Sequence, residues 1–262
     1  MSSAWSHSSN GTTSSIKLLP DHTKSNPPQE FHFDGILTGS ENRTVYNRVA
    51  RSHVSAAMDG YNAVVFAYGQ TASGKTFTLS GDDDQPGIIP LALKDVFSYI
   101  RKTPTREFLL RCSYLEIYNE IIHDLLSPAT TSSLAPVQLS GTGQNVILSP
   151  LREEVVTSLK NIREVLERGN GNRRTASTDW NDRSSRSHSV FRLVIESRER
   201  GSGTEQDGRA TPGGRRTPGS GLGSKLQARG GRSVQTSILV CLNSSAVISN
   251  GGFFFSPLYY RA

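Results

Sequence analysis

The sequence has few cysteines and no long apolar run. Its two cysteines, Cys112 and Cys241, lie far apart and form no CxxC or Cys/His pattern. We therefore expect free thiols in a reducing compartment rather than a disulfide framework or a thiolate metal site. No apolar stretch approaches the roughly 18 residues of a membrane span, and the first residues carry no signal-peptide pattern. These features predict a soluble intracellular chain.

The sequence also gives no indication of a uniformly basic surface, although the net charge is +6. Residues 200–232 hold seven Lys/Arg against two acids, which accounts for five of the six net charges. The rest of the chain is nearly neutral. We therefore expect a basic loop rather than a basic binding face, and neither a nucleic acid nor a membrane as partner.

Composition divides the chain into an ordered part and its flanks. Residues 1–29 are rich in Ser, Thr, Asn and Pro, which indicates a disordered lead or a degraded first strand. Residues 30–239 should form the ordered unit, and the Gly-rich loop 200–232 that interrupts it should be disordered. Residues 240–262 form a divergent tail.

Apolar periodicity within the ordered unit predicts alternating strands and helices. The run at 62–69 is continuously apolar, which indicates a strand buried on both faces. Gly169 marks the predicted end of the third helix. The helices are predicted at 42–58, 88–100 and 159–168, and the strands at 62–69, 108–119, 189–197 and 234–239.

The segment GQTASGKT at 69–76 satisfies the phosphate-loop pattern G-x-x-x-x-G-K-[ST] in full. Gly69 and Gly74 let consecutive backbone N–H groups turn toward phosphate oxygens. Lys75 supplies a point charge for the β- and γ-phosphates, and Thr76 offers a hydroxyl to Mg²⁺. The alternative, a glycine-rich turn, is disfavoured because the motif follows an apolar strand and opens a helix. The candidate nucleotide-binding residues are Gly69, Gln70, Thr71, Ala72, Ser73, Gly74, Lys75, Thr76 and Phe77.

The amino-acid sequence of this loop resembles that of one protein family. FAYGQTASGKTFTLSG at 66–81 is similar to the phosphate loop of kinesin motor domains, and EFLLRCSYLEIYNEIIHDLL at 107–126 is most similar to the kinesin-7 (centromere-associated) branch. NDRSSRSHSVF at 181–191 is similar to the kinesin switch I sequence N-x-x-S-S-R-S-H. The resemblance implies a P-loop NTPase three-layer α/β sandwich with a mostly parallel central sheet.

The resemblance also implies roles for switch I. Ser185 would meet Mg²⁺ and the γ-phosphate, with Ser184 and Asn181 beside it, and Arg186 would pair with the second switch. Read from the residues alone, this segment is equally a solvated Arg/Ser loop. For Phe77 two roles are open: packing on the adenine, or a place in the hydrophobic core. For His188 the two roles are holding switch I and capping the strand that follows it.

Three family features are missing from the sequence. No R-x-R-P turn precedes Phe31, and the sequence after Leu239 no longer resembles the family. Asn243 stands where the family has the aspartate of switch II, and Ala246 stands where it has the γ-phosphate-sensing glycine.

The resemblance predicts an ATP-dependent microtubule motor that uses Mg²⁺ and acts in the cytoplasm on the cytoskeleton, at the spindle or kinetochore. The alternative is a truncated nucleotide-binding remnant without motor or ATPase activity. A GTPase is disfavoured because the sequence contains no N-K-x-D motif. The direction of movement, the cargo and the oligomeric state are not given by the sequence.

Overall fold

A computed structural model describes the chain at residues 5–9, 14–19, 30–69, 73–127, 137–141, 147–175, 187–200, 233–242, 253–254 and 259–261. The helices are α1 (Asn42–Val49), α2 (Arg51–Met58), α3 (Lys75–Leu79), α4 (Ile88–Lys102) and α5 (Leu159–Thr175). The strands are β1 (Trp5–Ser9), β2 (Ser14–Leu18), β3 (Glu30–Phe33), β4 (Ile36–Leu37), β5 (Tyr61–Ala67), β6 (Arg106–Tyr118), β7 (Ile121–Asp124), β8 (Gln138–Ser140), β9 (Ile147–Ser149), β10 (Glu154–Val156), β11 (Ser187–Glu199), β12 (Ser233–Leu242), β13 (Phe253–Phe254) and β14 (Tyr259–Arg261).

The central sheet has the strand order β10-β6-β11-β12-β5-β14, with β7 paired to β6. The α/β class is confirmed, but the sheet is mixed rather than mostly parallel. In the described residues β5 and β12 run parallel, whereas β12 with β11, β11 with β6, β6 with β10, and β5 with β14 pair in antiparallel fashion. Alternating strands and helices indicate layers, but they do not fix the direction of each strand.

Side chains from four strands form one helix-facing surface of this sheet. The register aligns Tyr114, Phe191, Val240 and Val65 across β6, β11, β12 and β5. All four are buried in the core that the helices cover. The opposite surface is less covered: Phe66 on β5 is 50% exposed. The prediction that β5 is buried on both faces is therefore wrong for the described structure, in which the helices pack on one face.

The predicted helix at 42–58 is present but divided in two. Ala50, between α1 and α2, has φ −110° and ψ −28° and is fully buried. The predicted helix at 88–100 is α4, and the short helix after the phosphate loop is α3. These elements match because their apolar spacing follows the helical period.

The third helix is longer than the sequence predicts. We expected Gly169 to end it, but α5 continues to Thr175. A Cβ atom on Gly169 would lie 2.3 Å from Tyr114 Cδ1, so the glycine brings the helix against the Tyr114 ring. Glycine here serves close packing and does not act as a helix stop.

Described parts of the two flanks form strands. Within the lead, β1 pairs with β2, and β2 pairs with β3. Within the tail, β14 pairs with β5 and β13 with β4. The basic loop lies outside the described residues from 201 to 232.

Both cysteines are free, as predicted. Cys112 is buried on the helix-facing side of β6, and burial raises the pKa of its thiol to about 12. Burial also raises the pKa of the Cys241 thiol, to about 11. Both groups are therefore protonated and unreactive near neutral pH.

Candidate nucleotide-binding site

Three strand ends meet at one edge of the sheet. Ala67, at the end of β5, pairs with Leu242, at the end of β12. Leu242 also pairs with Ser189, near the start of β11. The phosphate-loop motif leaves β5 at this edge, and the switch I motif enters β11 at the same edge. Ligands of open α/β sheets bind at such carboxyl ends.

The described part of the phosphate loop has the backbone that its glycines predict. Gly69 has φ 157°, and Gly74 has φ 87° and ψ 7° and directly precedes α3. Side chains with a Cβ rarely adopt either conformation. Both motif glycines are thus required by the chain path. Gln70, Thr71 and Ala72, which we also predict to bind the nucleotide, lie outside the described residues.

Lys75 is the buried charge of this site. Its side chain is 6% exposed, and its Nζ donates a hydrogen bond to the Gly69 carbonyl oxygen at 2.7 Å. Burial lowers the pKa of the ammonium below its usual value because the charged form loses hydration. A phosphate bound in the loop would stabilise the charged form of this ammonium.

The residues after Lys75 differ in exposure. Thr76 is exposed, so its hydroxyl is accessible to a solvated ion. Ser73, before the helix, is half-buried. Phe77 is 36% exposed, which does not fit the core-aromatic alternative. Its adenine-packing role stays a prediction.

Asn42 supports the helix after the loop and was not among the predicted site residues. It is buried at the start of α1, and its Nδ2 donates to the carbonyl oxygens of Phe77 at 2.9 Å and Gln85 at 3.1 Å. It therefore fixes α3 and the following turn to α1. An asparagine at a helix start is an ordinary capping signal, so the sequence alone does not reveal these distant partners.

The turn after α3 is held by two glycines in close contact. Gly81 has φ 71°, and a Cβ there would lie 2.2 Å from the Gln85 carbonyl oxygen. A Cβ on Gly87 would lie 2.6 Å from the Leu79 carbonyl oxygen. This compact turn keeps the end of α3 against the start of α4.

A buried polar cluster lies where the switch I motif enters the sheet. Ser187 Oγ donates to Glu116 Oε1 at 2.5 Å and accepts from the Arg173 guanidinium at 3.2 Å. Arg173 Nε donates to the same carboxylate oxygen at 3.4 Å. Sequence reasoning missed Glu116 and Arg173, since they lie 57 residues apart.

The remaining predicted site residues cannot be placed in this geometry. Asn181, Ser184, Ser185 and Arg186 lie outside the described residues, as do Asn243 and Ala246. His188 is described, is half-buried on β11 and pairs with Ile117.

In the described part of the chain, no group of three or more His, Cys, Asp or Glu side chains is arranged to hold a metal ion. No helix there is both long and apolar enough to cross a membrane.

Comparison with known proteins gives a family match over most of the chain. Residues 2–214 match the model of the kinesin motor domain. Over 172 residues the chain is 49% identical to kinesin-like protein KIN-7L of Oryza sativa subsp. japonica, covering 65% of this chain and 26% of that protein. It is 43% identical over 182 residues to centromere-associated protein E of Homo sapiens, covering 69% of this chain and 7% of that protein. The chain thus spans about a quarter or less of the length of these relatives.

Proposed function

The chain belongs to the kinesin motor domain family, and from that premise we propose that it binds Mg²⁺-ATP at the loop 69–76 and couples ATP hydrolysis to a microtubule track. Membership of the family confirms the predicted resemblance. The KIN-7 name of the rice relative and the presence of centromere-associated protein E among the relatives agree with the predicted branch.

One observation carries the nucleotide part of this proposal. Lys75 is buried with its ammonium on the Gly69 carbonyl, at the sheet edge where the ends of β5 and β12 meet the start of β11. A desolvated cation next to a left-handed glycine and an exposed hydroxyl fits a polyphosphate with its metal ion. A plain glycine-rich turn has no reason to bury a lysine.

The residues that would hold Mg²⁺-ATP have distinct roles. Lys75 would bind the β- and γ-phosphates, and the backbone N–H groups near Gly74 would surround them. Thr76 would direct its hydroxyl to Mg²⁺, and Phe77 would lie against the adenine. When bound, Mg²⁺ supplies charge neutralisation on the phosphate oxygens.

Family resemblance supplies the roles of switch I. We propose that Ser185 contacts Mg²⁺ and the γ-phosphate, with Ser184 and Asn181 beside it. Arg186 would close the site toward the second switch. Ser187, the first residue of β11, follows this segment directly and starts the strand at the sheet edge where β5 ends.

Microtubules are the proposed partner, since the family is a motor family. The cytoplasm and its cytoskeleton are the proposed location. The name of the human relative, centromere-associated protein E, supports the spindle or kinetochore as the site of action.

A second function is favoured by a specific feature of the sequence. Asn243 replaces the family's switch II aspartate and brings no negative charge toward Mg²⁺. In addition, Phe66 is half exposed on a sheet face that the described helices do not cover. A nucleotide-binding protein without ATPase or motor activity is therefore the alternative. A measurement of ATP turnover distinguishes the two functions, whereas a measurement of ATP binding does not.

Replacing Thr76 with valine tests the proposed metal ligand. Valine keeps the branched shape but removes the hydroxyl, so we expect ATP affinity in Mg²⁺ to fall by about tenfold. ATP affinity in EDTA should stay unchanged. Isothermal titration calorimetry with and without Mg²⁺ measures both values.

The matched control for this experiment is Thr157→Val, another exposed threonine outside the loop. It should bind ATP like the unmodified chain under both conditions. Equal loss of affinity in Mg²⁺ and in EDTA for Thr76→Val would rule out the hydroxyl as a metal ligand. If the unmodified chain binds no ATP, the proposed function itself fails.

A further inference from the structure

Contacts between helix α5 and strand β6 repeat at nearly equal intervals along the two elements. Gly169 contacts the Tyr114 ring, and the Tyr114 hydroxyl donates to Asn170 Oδ1 at 2.8 Å. Four residues along the helix is about 6 Å, and two residues along the strand is about 6.8 Å. The same pairing therefore repeats one step further, where Arg173 reaches Glu116.

Burial makes this second contact different from a surface ion pair. The Glu116 side chain is 1% exposed and the Arg173 side chain is 15% exposed. Ser187 is also buried and uses its hydroxyl for both partners, donating to Glu116 and accepting from Arg173. A carboxylate removed from water in this way requires a partner charge and hydrogen bonds.

Two of the three residues flank the switch I motif in the sequence, and the third, Glu116, lies on β6. Arg173 is in the last turn of α5, which ends at Thr175, and Ser187 is the first residue of β11. The intervening residues contain Asn181, Ser184 and Ser185. Glu116, on the central strand β6, thus holds both ends of the chain that carries the switch I motif.

We propose that Glu116 is a positioning residue for γ-phosphate sensing: its carboxylate joins Arg173 to Ser187 and thereby fixes both ends of the switch I segment. This inference rests on the proposed nucleotide-binding function. Glu116 acts through the chain ends and does not touch the nucleotide. Removing its charge would therefore alter how the protein distinguishes ATP from ADP more than how it binds the shared part of the two ligands.

The test compares Glu116→Gln with the unmodified chain. Glutamine keeps the shape and one acceptor oxygen for Ser187 but leaves Arg173 without its carboxylate. We expect the ratio of ATP to ADP affinity, measured by calorimetry in Mg²⁺, to fall by about tenfold, with ADP affinity changing by less than about twofold. Amide hydrogen exchange across residues 176–186, with a non-hydrolysable ATP analogue bound, should become faster.

Glu154→Gln is the matched control. It removes a carboxylate that pairs with Arg168 of the same helix α5, away from Glu116, Arg173 and Ser187. It should leave the ATP to ADP ratio unchanged. If Glu116→Gln does not fold, Ser187→Ala, which removes only the shared hydroxyl, must lower the ratio instead.

Three outcomes separate the claims. A lowered ratio in Glu116→Gln and an unchanged one in Glu154→Gln supports the positioning role. Equal changes for ATP and ADP, or equal effects in the two variants, overturns it and leaves nucleotide binding standing. Failure of the unmodified chain to bind either nucleotide refutes the proposed function, and the positioning role with it.

Discussion

Replacing Lys75 with alanine is expected to weaken ATP binding by about a hundredfold without unfolding the protein. The buried ammonium is the one described charge placed against the loop carbonyl of Gly69, and phosphate oxygens would be its strongest partners. The same burial lowers its pKa, so the charged form is disfavoured in the folded state relative to the unfolded state.

The pH dependence of this effect has a definite sign. Below its lowered folded-state pKa, the destabilisation of the nucleotide-free fold by ionised Lys75 is fully present, and it is lost as the pH rises from that value to the unfolded-state pKa of about 10.4. At pH 7 the Lys75→Ala variant without nucleotide loses this destabilising charge together with the hydrogen bond to Gly69, so its melting temperature should stay close to that of the unmodified chain. Added Mg²⁺-ATP should raise the melting temperature of the unmodified chain only.

Lys94→Ala is the control for the Lys75 variant, because Lys94 is an exposed lysine on α4. It removes the same side chain without touching the loop and should keep full affinity. Calorimetry and thermal melting with and without Mg²⁺-ATP measure the three proteins. If Lys75→Ala binds ATP within about threefold of the unmodified chain, the loop is not the binding site.

Two glycines in α5 should respond to alanine with opposite signs. In Gly169→Ala the new methyl group would lie 2.3 Å from Tyr114 Cδ1. The ring has little room to move, since its hydroxyl is bonded to Asn170 and its edge packs on Phe191 with centroids 5.9 Å apart. We expect a net loss of about 1–3 kcal/mol in the free energy of unfolding.

Gly171→Ala provides the matched control in the same helix. Nothing lies within 4 Å of its ideal Cβ position, so alanine should raise the free energy of unfolding by about 0.5–1 kcal/mol through helix propensity. Urea denaturation compares the two variants. If alanine leaves stability unchanged at both positions, the helix ends near residue 168, as the sequence pattern predicts.

Elements defined by their own periodicity could be predicted from the sequence. The helix at 88–100 and the strands at 108–119 and 189–197 occur where the pattern places them, extended by a few residues. Features that depend on contacts with residues distant in the sequence could not be predicted. The end of α5 depends on Tyr114, which is 55 positions away in the sequence, and the exposure of Phe66 depends on what covers the sheet, not on β5 itself.

The same distinction holds for the site. Gly74, Lys75 and Thr76 could be predicted as site residues because a phosphate loop is a local pattern with fixed spacing. Asn42 and Glu116 were missed because each acts through partners brought close only by folding. Glu116 lies in a predicted strand, and nothing in the sequence marks it as buried.

The most direct test of the proposed function is the steady-state ATPase rate of the whole chain as polymerised microtubules are added, with Lys75→Ala as the blank. The motor proposal predicts a rate that rises with microtubule concentration, saturates and is absent in the Lys75 variant. A chain that binds Mg²⁺-ATP but shows no microtubule-dependent turnover would contradict the motor proposal and support the alternative of nucleotide binding alone.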